Sequence, residues 1–138
     1  MTDLTSLDGI QAALDASPFQ KALGLRAVSF DPVNGAVEFV LPFHDAAARK
    51  PEGDQLHGGV LVAVMDIAGD YALGVCLGHL VPTISLYTDF LRPSHGTVRV
   101  VANVVRCGRS IGVTEMSVFA GDDTLVAAGR GTYSTRPG

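Results

Sequence analysis

Cysteine is scarce in this chain of 138 residues: Cys76 and Cys107 are far apart and share no C-x-x-C spacing. That excludes a disulfide framework and a cysteine-built zinc site, and it suits a reducing cytoplasm. Positive charge is also short, with 10 Lys and Arg against 14 Asp and Glu and a formal net charge of -4. The basic residues form no cluster, so nucleic acid is not an expected partner. No basic segment followed by an apolar one opens the chain, so no secretory signal is expected and the expected location is cytoplasmic. The run from Gly58 to Leu80 approaches the length of a membrane span, but Asp66, Asp70 and several glycines interrupt it, and a membrane is not expected either. There is no G-x-S-x-G elbow, and Ser110 and Ser117 have no nearby base in sequence, which speaks against serine hydrolase chemistry. His44, His79 and His95 stand in loops or turns without metal-ligand spacing and read as surface residues.

What is present is apolar: 47% of the residues are hydrophobic and only 17% charged, enough for one compact domain over 1–138. The chain is organised around one helix, expected over Gly58 to Leu77 and roughly 30 Å long. Leu61, Val64, Met65, Ala68, Tyr71, Ala72 and Val75 make one apolar face, and Gly59, Val62, Ala63, Asp66, Asp70, Leu73 and Leu77 the other. With both faces mostly apolar, burial nearly all round is expected. Asp66 and Asp70 then lie one turn apart, where an ionised carboxylate costs several kcal/mol unless paired or hydrated. Buried ionisable groups of this kind cluster at sites of chemistry. Asp70 is equally well explained by a water-filled dip or a salt bridge to an arginine.

Ahead of this helix, residues 1–24 read as a helical extension. Leu4, Leu7, Ile10, Ala13 and Leu14 are spaced for a short amphipathic helix with Thr5 or Ser6 as N-cap, Ser17-Pro18 breaks it, and Phe19 to Leu23 adds a turn closed by Gly24. Leu25 to Phe30 and Ala36 to Leu41 flank Asp31-Pro32-Val33-Asn34-Gly35 and read as a hairpin. Pro42 to Gln55 is a polar loop. After the helix come strands at Thr83 to Phe90, Thr97 to Cys107, Ile111 to Ala120 and Thr124 to Ser134, whose short connections make antiparallel neighbours. The fold class expected is α+β, one long helix beside a curved antiparallel sheet of about five to six strands.

His57-Gly58-Gly59 begins the helix, where the first N–H groups lack intrahelical acceptors and sit at the positive end of the dipole. A carbonyl oxygen gaining negative charge would be stabilised there. If Asp66 is to act on the same reacting group, one chain is not enough: eight residues of helix separate Gly58 from Asp66 by about 12 Å. The geometry closes if a second copy runs antiparallel alongside, giving two equivalent sites in a homodimer.

The stretches HGGVLVAVMD, PTISLYTDFLRP and VAAGRGTYS resemble the hotdog-fold acyl-CoA thioesterases, in particular the phenylacetate-degradation (PaaI-like) branch, over about Gln55 to Tyr133. The resemblance implies a helix wrapped in an antiparallel sheet, dimers that often pair into tetramers, and hydrolysis of an acyl-CoA thioester without metal or organic cofactor. Carried over by position, Asp66 is similar to the catalytic carboxylate, as nucleophile or as general base for water. Gly58 is similar to the residue whose N–H polarises the thioester carbonyl, with Gly59 beside it at the substrate. His57 is similar to a positioning residue at the helix entrance, and Thr83 to a hydroxyl position of some members. Many relatives place Asn or Gln shortly before the His; here Pro51 stands six back, between Lys50 and Glu52, and Gln55 is the available substitute. Asp70 stands where some aryl-CoA members have Thr, so it is expected to bind a polar substrate group or the attacking water. Val62, Leu73 and Leu77 are expected to line a pocket for a medium-chain or aromatic acyl group, and Arg92, Arg106 and Arg109 are candidates for the phosphates of coenzyme A. Two other classes remain open from sequence: a non-catalytic acyl-CoA-binding or regulatory protein, and an enoyl-CoA hydratase or dehydratase using His57 with a carboxylate.

Overall fold

The computed structural model describes residues 2–136. Its elements are α1 (Leu7–Ala16), α2 (Pro18–Leu23), β1 (Arg26–Asp31), β2 (Ala36–Leu41), α3 (Gly58–Leu77), β3 (Thr83–Phe90), β4 (Val98–Cys107), β5 (Ile111–Phe119) and β6 (Leu125–Ser134), with a single 3-10 turn (Asp45–Ala47) in the loop before α3. The strands form one antiparallel sheet of six in the order β1-β2-β4-β5-β6-β3, so β1 and β3 are its edges. This is the architecture expected from the sequence: β2, α3 and β3 have the expected bounds, and the other elements differ at one or both ends by one to three residues.

Local chemistry accounts for the displacements. Ser6 caps α1, its hydroxyl accepting the Gly9 N–H at 3.0 Å, so the helix starts at Leu7, while Leu4 is buried ahead of it. Gly24 closes α2 in the left-handed conformation, φ 80°, and its N–H reaches the Gln20 and Lys21 carbonyls. In the hairpin turn Asp31 Oδ1 accepts the Val33 and Asn34 N–H groups, and Gly35 takes φ +75°.

The N-terminal helices belong to the same core as α3. Ile10, Leu14 and Leu23 are buried with Phe39, Met65 and Tyr71. The Gln11 side chain bonds the backbone of β1 through Leu25 O and Ala27 N, and the Tyr71 hydroxyl donates to Gln20 Oε1 at 2.8 Å. Tyr71 also meets Phe39 edge to face, with ring centroids 5.4 Å apart.

One expectation needs correction. α3 is not buried all round: Leu61, Val64, Met65, Ala68, Tyr71, Ala72 and Val75 are buried against the sheet, and so is Leu73, but Gly59 is exposed and Val62, Ala63, Asp66 and Asp70 are half-open. The sheet and the N-terminal helices cover one side of the helix, and this strip lies along the margin of that cover, Ala63 beside α2 and Asp66 beside Thr83 of β3.

The seating of α3 on β5 and β6 depends on Gly69. A Cβ there would run into the Tyr133 hydroxyl and stand 2.6 Å from Thr114 Oγ1, both in fully buried residues. Gly69→Ala is therefore expected to lower stability by about 1–3 kcal/mol through overpacking, against the roughly 1 kcal/mol that alanine ordinarily gains over glycine inside a helix. A urea unfolding midpoint equal to or above that of the parent would contradict this account of the helix–sheet distance.

Candidate functional site

The N-terminus of α3 leaves one amide free. His57, in extended conformation at φ -64° and ψ 136°, turns its ring back so that Nδ1 accepts the Gly59 N–H at 2.9 Å, and its carbonyl accepts the Val60 N–H at 3.0 Å. The Gly58 N–H has no acceptor among the described residues. His57 is thus a cap that works only with Nδ1 unprotonated, and its own N–H is anchored on Ala47 O. The Phe90 ring lies over Gly58: a Cβ there would stand 3.3 Å from Phe90 Cε1. The free N–H, carrying the partial positive charge of the helix end, is a donor for an oxygen that becomes negative.

Two turns along, Asp66 is held by hydroxyls. Thr83 Oγ1 donates to its Oδ1 at 2.6 Å, and the Tyr133 hydroxyl donates to its main-chain carbonyl at 3.0 Å and lies 3.4 Å from Oδ1. Burial, with the Asp66 charge adding, pushes the Tyr133 phenol well above its ordinary value, so it stays a donor. Oδ2 of Asp66 has no protein partner among the described residues. Neither Asp66 nor Asp70 is in a salt bridge with a described residue.

Asp70 differs. Its Oδ1 accepts the Val81 N–H at 2.7 Å, and its pKa is pushed up to about 7, mainly by burial, with the Asp66 charge adding and the Val81 bond opposing. The two carboxylates also share a strand: Val81 precedes Thr83 by two residues, so the bond to Asp70 pins the backbone from which Thr83 reaches Asp66. Thr83 itself pairs with Tyr133, and a register shift follows between Thr83 and Ser85.

The remaining expectations divide. Gln55 lines the same cleft as Gly58, while Pro51, Lys50 and Glu52 form an exposed turn with Glu52 at φ 62°. Thr83 does meet Asp66. Leu73 cannot line a substrate pocket, since it is fully buried with Val81 and Tyr133. His44 is not a free surface residue: it is half-buried, and its Nε2 bonds Leu23 O at 2.8 Å, tying the loop to α2. Sequence reading missed Tyr133, Phe90 and Arg49, which come to the helix only through strand register and loop path. The available signal for Tyr133 was a tyrosine in an interior strand, whose hydroxyl must find a partner. Gly58 and Asp66 of one chain do not come together, because both ride on one straight helix.

Asp70 makes stability pH-dependent with a definite sign. Its proton is held more tightly in the folded than in the unfolded chain, so stability is full below pH 3.8 and falls as pH rises towards about 7. The limit of that loss is about 4 kcal/mol. Asp70→Asn keeps the acceptor for Val81 and is expected to remove the decline, which urea midpoints at pH 5 and pH 8 measure; an undiminished decline in the variant places its source elsewhere.

Comparison with known proteins identifies the family. The family model described as "Thioesterase superfamily" matches residues 53–127, from the turn before α3 into β6. A protein of Halobacterium salinarum provisionally named as an esterase is 32% identical over 135 residues, spanning 90% of this chain and 88% of the relative. Among solved structures, a thioesterase of Haemophilus influenzae superposes with a TM-score of 0.82 at 26% identity, over 94% of this chain and 89% of that one. The E. coli PaaI protein of the phenylacetic acid degradation operon superposes with a TM-score of 0.83 at 24% identity, over 100% and 98%, which speaks to the fold alone. The chain belongs to the thioesterase superfamily, with its hotdog fold and its hydrolase chemistry.

Proposed function

We propose that the protein is an acyl-CoA thioesterase whose reaction centre is shared by two copies of the chain, Asp66 of one facing the Gly58 N–H of the other. The observation that carries this reading is the pair of unspent groups on α3, a carboxylate oriented by Thr83 and Tyr133 and an uncapped amide at the helix tip.

Two independent features support the pairing. The edge strand β3 ends in exposed apolar residues, Phe90 and Leu91, and carries Ile84 at 56% exposure; such an edge is a template for another strand. An antiparallel pairing of two β3 strands about a two-fold axis between Leu86 and Tyr87 sets Thr83 opposite Phe90 of the other copy. Thr83 holds Asp66 and Phe90 covers Gly58, so this register brings Asp66 to the second copy's amide. The half-open strip of α3 is compatible with the same assembly: a two-fold placed at Val62 would exchange Gly58 with Asp66. The proposed assembly is a homodimer, and pairing of dimers into a tetramer is compatible with it.

In the reaction the thioester carbonyl oxygen accepts the Gly58 N–H. Either Asp66 Oδ2 takes a proton from water as the water attacks, or it attacks the carbonyl itself and water then cleaves the mixed anhydride. Both routes pass through an oxyanion at the helix tip and expel the thiolate of coenzyme A, which takes up the proton, leaving the free acid. Neither needs a metal or an organic cofactor. Hydration of an enoyl ester by His57 is disfavoured, since its Nδ1 is committed to the cap of Gly59.

Release of free thiol from a panel of CoA esters tests the activity, and Asp66→Asn is expected to lose at least about 100-fold in kcat/KM. No turnover on any ester, or equal turnover by the variant, defeats the reading. Gly58→Pro tests the amide. Proline suits the first helical position, and His57 already has the extended conformation a residue before proline requires, while the added ring meets Phe90, whose Cε1 stands 3.3 Å from a Cβ at Gly58; with an unfolding midpoint equal to the parent's showing that this contact is absorbed, the loss of the donor is expected to cost about 100- to 1000-fold. Co-expressed Asp66→Asn and Gly58→Pro chains are expected to regain activity, because the mixed dimer holds one intact centre; no recovery, with mixed dimers demonstrated, would place the whole centre in one chain.

A further inference from the structure

The cleft beside the tip of α3, about 340 Å³, is walled mainly by apolar side chains, Leu56, Leu61, Phe90, Leu91 and Pro93. Two hydrogen-bonding groups in its lining are unspent. One is the Gly58 N–H. The other is the hydroxyl of Ser94, a residue 2% exposed between the exposed Pro93 and His95. Among the described residues this hydroxyl is the one buried side-chain polar atom without a hydrogen-bond partner, and it is closed to solvent. A buried hydroxyl in that state costs the fold stability, and an acceptor entering the cleft would supply the missing bond. The other polar members of the cleft differ: Arg49 and Arg92 are exposed and Gln55 is half-buried, so water satisfies them. The main chain holds Ser94 close to the helix tip. Its carbonyl accepts the N–H of Leu56, two residues ahead of Gly58, at 2.8 Å; Gly96 N–H donates to Asp54 O at 2.8 Å, and Gln55 bridges to His95. The β3–β4 loop and the approach to α3 thus form a short antiparallel pair. One side-chain torsion then sets where the Ser94 Oγ lies, and it turns to an acceptor without disturbing that pair.

We propose that Ser94 is a second donor to the oxyanion: its hydroxyl turns into the cleft and donates to the same thioester oxygen that accepts the Gly58 N–H. The proposal rests on the thioesterase reading above and adds a catalytic residue to it. The surroundings of the hydroxyl select this role. It is not a nucleophile, because no base is bonded to it: the neighbouring His95 ring is taken by Asp54 at 2.9 Å. What remains is donation, and the acceptor that gains most from a donor is the carbonyl oxygen of the reacting ester as it becomes negative. Two donors hold that oxygen from two directions. The apolar walls around them strengthen each bond, because little solvent competes in a low-dielectric cleft. A hydroxyl that bonds nothing in the free chain gains its partner during the reaction, and the bond grows with the charge on the oxygen, so its effect falls on the transition state more than on the bound ester.

Ser94→Ala tests this, because it removes the hydroxyl and should leave the fold at least as stable. Its urea midpoint is expected to equal or exceed the parent's. On a CoA ester that the parent hydrolyses, kcat is expected to fall about 100- to 1000-fold with KM little changed. Infrared spectroscopy reads the contact itself. A ketone analogue of hexanoyl-CoA, with methylene in place of sulfur and an isotopically labelled carbonyl, is not cleaved, and each donor lowers its carbonyl stretch. Bound to the parent, that stretch is expected at lower frequency than when bound to Ser94→Ala. Unchanged kcat in the variant overturns the proposal, and so does a rise in KM alone, which would place the hydroxyl on a part of the substrate that does not react. A midpoint below the parent's also overturns it, since the hydroxyl would then have its partner within the fold. Parent protein inactive on every ester defeats the thioesterase reading instead. In that case the ketone analogue still decides: a difference in stretch between parent and variant upholds Ser94 as a donor to the acyl oxygen, and equal stretches, or no binding to the parent, remove it.

Discussion

The approach of α3 to β5 and β6 at Gly69 governs the chemistry around it. With no side chain at that position, the Tyr133 hydroxyl and Thr114 fit under the helix, and Tyr133 reaches the Asp66 carbonyl at 3.0 Å. The phenol then does two things at once. It satisfies a buried polar group that would otherwise cost free energy, and it fixes the turn of helix on which the carboxylate rides. Thr83 completes the arrangement from β3, the strand paired with β6. Asp66 is therefore located by one helix and two strands, a precision that a carboxylate on a surface loop would lack.

The two acids one turn apart diverge because their surroundings do. Asp66 takes a hydroxyl donor on one oxygen and keeps the other open at the edge of the covered region. Asp70 sits deeper, with a single main-chain donor, and burial raises its pKa to about 7. A proton on Asp70 spares the helix a second negative charge beside Asp66. The Val81 bond also makes Asp70 a clamp on the start of β3, and through Thr83 on Asp66 itself.

Periodicity was enough to read α3, since twenty residues of it contain the interrupted apolar pattern, and the turn chemistry of Asp31 to Gly35 and of Gly24 marked the hairpin and the end of α2. Strand order was not legible: that β3 pairs with β6 at the sheet edge, bringing Thr83 and Tyr133 to the same carboxylate, depends on contacts between residues 50 apart in sequence. The burial of α3 was overestimated for a related reason. Composition says how apolar a helix is, but which side the rest of the chain covers is a property of the sheet, and this sheet covers one side. The pairing of His44 with Leu23 O was hidden in the same way, because it joins a loop without periodicity to a helix twenty residues earlier.

That uncovered strip is where the local and the global constraints meet. Val62 and Ala63 are half-open on a helix that otherwise spends its apolar residues on a core, and the adjoining edge of β3 exposes Ile84, Phe90 and Leu91. An apolar strip and an apolar strand edge side by side make one continuous surface, of the kind a monomer rarely leaves in water. Asp66 and Asp70 lie within that surface rather than beside it. Covering it with a second copy would remove water from the carboxylate and from the free amide together, strengthening the electrostatic interactions the reaction uses. On the proposed reading, the strip that costs the isolated chain stability is the strip the chemistry would use, and one contact with a second copy would serve both.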